Sequence, residues 1–110
     1  MKKIMSRSEE LALLAVVRLR DEAYSVQIRE ELARISGKRW SFGAVYDPLD
    51  RLEKNGLLES FLTDPKPERG GRSRRVYRLT RRGKKALLEI REMQNAVWAD
   101  VPMKELKEIP

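Results

Sequence analysis

The stretch that most restricts this chain runs from Ser41 to Ser60, SFGAVYDPLDRLEKNGLLES, where an amphipathic helix has to stop and hand straight over to a strand. Val45, Leu49 and Leu52 recur at helical spacing and make one apolar stripe, flanked by Phe42 and Tyr46. Ser41 can cap the helix by accepting from an orphan amide of its first turn. Asn55-Gly56 can end it, because glycine tolerates a left-handed cap. Pro48 removes a backbone donor inside the helix and predicts a bend there. Such a bend is either a tolerated kink or a device that aims the first turn, Ser41 to Tyr46, out of the domain.

The segments before this helix are helical too. Ser6 with Glu9 reads as a capping box that opens a helix ending near Arg20, and Glu9 and Glu10 suit the positive end of its dipole. Leu11, Leu14, Ala15 and Leu19 form its main stripe, which Leu13, Val16 and Val17 widen until little of the circumference is polar. A helix apolar nearly all round is buried on more than one side, so a partner subunit is expected against Leu13 and Val17. Asp21 to Tyr24 reads as a turn, and Ser25 can cap a second helix that Gly37 stops. Ile28, Leu32 and Ile35 are its expected core positions, with Arg29, Glu30, Glu31 and Arg34 facing water, and Trp40 is an expected satellite of the core. Helix, turn, helix, short turn, helix is the order of a helix-turn-helix domain.

Beyond Gly56, residues 57–63 and 76–79 read as two strands, joined by a loop over 64–75 that holds Pro65, Pro67, Gly70 and Gly71. The charge is concentrated here. Ten basic residues and one acidic residue, Glu68, lie between Lys66 and Lys85, so this window carries +9 of a chain total of +7 and the rest sums to −2. A local basic patch suits contact with a polyanion at one edge of the molecule. A basic hairpin directly after a third helix is the wing of a winged helix-turn-helix. Candidate DNA contacts are therefore Ser41, Gly43, Tyr46 and Arg51 on the helix, and Lys66, Arg69, Gly70, Gly71, Arg72, Arg74 and Arg75 on the wing. Phe42 is expected to be partly core. Asp47, Asp50 and Glu53 recur every third residue; Asp47 can pair with Arg51 and Asp50 with Lys54 along the helix, or Asp47 can accept from a cytosine amino group.

Thr80 can cap a last helix over 81–101, stopped by Pro102. Ala86, Ile90, Met93 and Val97, with Leu87 and Trp98 beside them, form a seam too short to be stable alone, so this helix is expected to pair with its symmetry mate. Residues 103–110 read as one helical turn or a frayed tail. The fold class is thus mainly α with a small β-hairpin (α+β): a winged helix-turn-helix over 1–80, a dimerisation helix over 81–101 and a tail over 102–110. The absence of Cys and His removes thiolate nucleophiles, the commonest general base and the usual zinc ligands, so no enzyme, metal site or cofactor is expected. The longest apolar run, Leu11 to Val17, is far short of the roughly 20 residues of a membrane span, which predicts a cytoplasmic protein with no membrane partner.

With these parts in order, the sequence resembles the PadR family of bacterial transcriptional regulators. The likeness is carried by Ala23-Tyr24-Ser25, by Gly43-Ala44-Val45-Tyr46 with Pro48-Leu49 and Arg51-Leu52-Glu53, by Gly56-Leu57-Leu58 and Gly70-Gly71-Arg72, and by Tyr77-Arg78-Leu79-Thr80 with Gly83. The resemblance implies a homodimer that binds palindromic operator DNA, usually as a repressor, through the helix at 41–55 and the wing, and that dimerises through its single C-terminal helix. It also implies, for some members, a small aromatic effector held between subunits, for which Trp98 is the position here. The competing reading is a winged-helix module that binds protein or RNA rather than operator DNA.

Overall fold

The computed structural model describes residues 5–63 and 73–108. Helices α1 (Arg7–Leu19), α2 (Ser25–Ser36) and α3 (Phe42–Lys54) are followed by antiparallel strands β1 (Leu58–Leu62) and β2 (Arg75–Leu79), the long helix α4 (Arg81–Trp98) and a short α5 (Met103–Lys107). Helix-turn-helix and hairpin are therefore present in the predicted order, within one or two residues of the predicted limits.

The caps explain the boundaries. The Ser6 hydroxyl accepts from the Glu9 amide while the Glu9 carboxylate accepts from the Ser6 amide, closing the capping box of α1. Ser41 accepts from the Ala44 amide at the start of α3, and Thr80 accepts from the Gly83 amide at the start of α4. Gly37 (φ 69°) and Gly56 (φ 76°) take the left-handed conformation after α2 and α3. α2 differs from the expectation: Tyr24, not Ser25, is its N-cap, without a side-chain cap bond. The Ser25 hydroxyl is engaged with the Tyr77 phenol instead.

The core is one cluster in which Leu13, Ile28, Val45, Leu49 and Leu52 are wholly inaccessible. Burying each such side chain contributes about 1.5–3 kcal/mol. The α3 stripe is as its spacing predicts, and Pro48 is buried inside an unbroken helix, packing as an apolar side chain. Two stripes shift. On α1 the inward residues are Ala12, Leu13, Ala15 and Val16, and Leu14 is exposed; on α2, Ile35 lies outside the core. Leu13 is thus sealed within its own subunit and has no surface for a partner, a correction to its expected place in a dimer interface. Glu9, at 6% exposure, is more than a first-turn charge: Arg51 Nε of α3 lies 3.9 Å from its carboxylate.

The segment read as a turn, 21–24, carries sheet structure. A short 3₁₀ turn (Arg20–Glu22) opens with Arg20 at φ 53° and swings the chain so that Tyr24 bridges Val76, while the Tyr77 amide donates to the Ala23 carbonyl (3.0 Å). Ala23 is fully buried there, which leaves room for little more than a methyl.

α4 also differs from expectation. It docks on its own subunit as far as Gln94, with Leu87 against the core and Gln94 donating to Glu10 of α1 (2.9 Å). Beyond Gln94 every residue of the helix is exposed. Its root is tightly built: Thr80 donates from its amide to the Leu57 carbonyl (3.2 Å) and from its hydroxyl to the Gly56 carbonyl (2.7 Å). A Cβ at Gly83 would lie 2.1 Å from the Leu57 oxygen. Gly83→Ala is therefore expected to lower stability by about 1–3 kcal/mol or more, read as the shift of a urea unfolding midpoint.

Candidate nucleic-acid interface

The first turn of α3 stands clear of the body. Ser41, Phe42, Gly43 and Ala44 are all exposed, and Tyr46 is half-buried. Phe42 was expected partly in the core, yet it is 63% exposed, and its ring stacks on Tyr46 with centroids 3.9 Å apart and planes 23° from parallel. The spacing i, i+4 puts the two rings one above the other, and this is the signal in the sequence that could have paired them. The turn leading in is fastened as well: Arg29 Nε donates to the Trp40 carbonyl (2.8 Å), and the Trp40 indole donates to the Ser36 hydroxyl (2.9 Å).

Further along α3, Asp50 and Glu53 continue the face begun by Phe42 and Tyr46. Across from them stand Arg75 and Tyr77 of β2, with Ser25 at the base, and the groove between has a volume of about 490 Å³. A polar relay crosses it: Arg75 Nη1 donates to the Ser60 hydroxyl (2.9 Å), which donates to Glu53 Oε2 (2.7 Å). The hairpin is thereby tied to the back of α3. Burial raises the Tyr77 phenol above its ordinary value, against the opposing effect of its hydrogen bond with Ser25, so this group stays neutral.

Three described arginines follow the hairpin. Arg74 lies over the Tyr24 ring (5.0 Å) and Arg78 over the Phe61 ring (4.8 Å), while Arg75 takes part in the relay. The remaining predicted wing contacts, Lys66, Arg69, Gly70, Gly71 and Arg72, lie outside the described residues. Ser41, Gly43 and Tyr46 are brought together at the start of α3, whereas Arg51 is turned towards Glu9 of α1. The expected pairs along α3 do not form: among the described residues Asp47 and Asp50 make no ion pair, and Arg51 is taken by Glu9. The relay has no signal in the sequence, because it joins Glu53 of α3 to Ser60 and Arg75 of the hairpin and depends on how the two pack; the ring stack is local to α3 and was legible in its spacing.

On the C-terminal helix, Ala86, Leu87 and Ile90 are half-buried against the subunit, and Met93, Val97 and Trp98 are exposed, as is Val17 of α1. Among the described residues no helix is long and apolar enough to cross a membrane.

Three helices with the third turned outward, a hairpin beside it and a long helix leaving the domain define a winged helix-turn-helix. The chain belongs to the PadR-like family of transcriptional regulators, whose profile matches residues 13–89. It is 42% identical over 73 residues to the transcriptional regulator Rv3488 of Mycobacterium tuberculosis, an alignment that takes in 64% of this chain and 62% of the relative. Among solved structures it is similar to a PadR family transcription regulator from Clostridium difficile (25% identity, TM-score 0.69, 92% of this chain and 99% of the other). It is also similar to a PadR-like transcription factor from Bacteroides fragilis (24% identity, TM-score 0.66, 83% and 85%).

The relay gives a local test. Ser60→Ala removes the link between Arg75 and Glu53 and is expected to cost about 1 kcal/mol, with faster hydrogen exchange confined to the β1 and β2 amides. An unchanged exchange pattern would show that the hairpin does not need it.

Proposed function

We propose that this protein binds double-stranded DNA as a homodimer and represses transcription from a near-palindromic operator. The observation that carries the reading is the exposed first turn of α3 beside a hairpin rich in arginine. In this reading residues 1–80 form the DNA-binding unit, and Ser41, Gly43 and Tyr46 face the major groove. Arg74, Arg75 and the wing residues Lys66, Arg69, Gly70, Gly71 and Arg72 hold the backbone. Arg51, half exposed beside Glu9, contributes at the helix end.

The dimer reading is supported by the exposed apolar residues in the last turns of α4. Met93, Val97 and Trp98 are each about half exposed or more, alongside Val17 of α1. Residues 81–101 are the proposed dimerisation helix, with Ile90 and Ala86 at its inner edge and 102–110 as a tail. Two α3 helices would then enter successive major grooves about 34 Å apart. Trp98, exposed at the end of this seam, is the proposed contact for a planar aromatic effector, should one act between subunits. A cytoplasmic location follows from the proposed partner.

The experiment is affinity for duplex DNA as a function of salt. A wing that neutralises phosphates predicts that log K falls, for each tenfold rise in salt, by about 0.9 per phosphate contacted. Arg72→Ala with Arg74→Ala is expected to weaken binding to all sequences about equally and to flatten that slope, whereas a Tyr46 change alters which sequences are preferred. Binding that hardly responds to salt would remove the reading. Asp47 and Asp50 on the same helix, which make no ion pair among the described residues, favour a second reading, a module for RNA or protein, because acidic groups are costly beside phosphates. Competition between structured RNA and genomic duplex at equal salt separates the two.

Val97, at 67% exposure, is dispensable to the subunit fold. Val97→Glu is expected to leave the melting of the subunit intact while giving monomers by light scattering, with weak DNA binding. A dimer that persists would move the interface elsewhere.

A further inference from the structure

We infer that Phe42 reads a thymine methyl group in the major groove, an inference that rests on the DNA-binding reading above and deepens it. The first turn of α3 has an unusual chemistry for a helix end that faces bases. Its exposed residues are Ser41, Phe42, Gly43 and Ala44, and the Ser41 hydroxyl is already committed to the Ala44 amide (3.2 Å). The turn holds no Arg, Asn or Gln, the side chains that make bidentate hydrogen bonds to purine edges. It offers base edges an aromatic ring and a methyl group. The apolar feature presented by a base pair in the major groove is the thymine C5 methyl, and Phe and Ala are side chains that contact it.

The ring is also held ready. Tyr46 stacks on one side at 3.9 Å, and the Arg29 guanidinium lies 6.0 Å from the ring centroid. Arg29 is itself fixed by its bond to the Trp40 carbonyl (2.8 Å). A side chain ordered before contact loses little freedom on making it. Phe42 is nevertheless 63% exposed, so its outer edge is free to be covered. Gly43 beside it adds no side chain that would hold a base edge away.

The test separates the methyl from everything else a base presents. Duplexes retained by the protein from a randomised pool are resynthesised with uracil replacing each thymine in turn, which deletes one methyl and keeps every hydrogen-bonding group. Fluorescence anisotropy is expected to show one thymine per half-site at which uracil weakens the wild-type protein about fourfold. Phe42→Ala should bind thymine and uracil duplexes equally well there, with its melting temperature unchanged, and Phe42→Leu should keep part of the discrimination. If the wild-type protein binds every uracil duplex as tightly as its thymine parent, or if Phe42→Ala keeps the full uracil penalty, the ring serves only to brace Tyr46 and the inference is wrong. Retention of no duplex at all would overturn the regulator reading itself, an outcome that cannot be confused with loss of the methyl effect alone.

Discussion

Two backbone carbonyls, those of Gly56 and Leu57, hold the parts of this molecule in register. They lie where α3 ends and β1 begins, and Thr80 bonds to both at the point where β2 becomes α4. Gly83 then lets the first turn of α4 settle on the Leu57 oxygen, at a distance no other side chain permits. α3, the two strands and α4 thus meet around a few atoms. The left-handed Gly56 makes that meeting feasible, since the chain must reverse there without a loop.

From that junction the hairpin and α3 diverge, and a groove opens between them. The Glu53–Ser60–Arg75 relay closes its far end, and the Phe42–Tyr46 stack stands at its mouth. The electrostatics are divided between the two walls. Carboxylates of Asp50 and Glu53 lie along α3, while guanidinium groups follow the hairpin, where aromatic rings of Tyr24 and Phe61 support them. In the proposed complex the helix would discriminate among bases by shape and apolar contact, and the hairpin would supply most of the attraction to the backbone.

Much of this was legible in the sequence because it is local. Ser6, Ser41 and Thr80 cap the helices they were expected to cap, and the α3 stripe of Val45, Leu49 and Leu52 is buried as its spacing requires. What failed was non-local. α1 is apolar nearly all round, so periodicity could not say which third faces inward, and Leu14 and Leu13 were given the wrong surroundings. Ile35 fits a helical stripe, but α2 has run past the core by that point. Ser25 has the chemistry of a cap and is claimed by Tyr77, which arrives from a strand fifty residues away. The bridge between Tyr24 and Val76 and the pairing of buried Glu9 with Arg51 are likewise invisible until the helices are packed.

The attachment of α4 has a mechanical consequence. Fastened at its root by Thr80 and again at Gln94, its 18 residues form a rod of about 27 Å rather than a tether. If two subunits join by the free ends of such rods, the separation of their α3 helices is set by an angle. A tilt of about 10° displaces the end of a rod this long by about 5 Å, about a seventh of the spacing between successive major grooves. A small wedge at the joint could therefore change the span of the pair without disturbing either half.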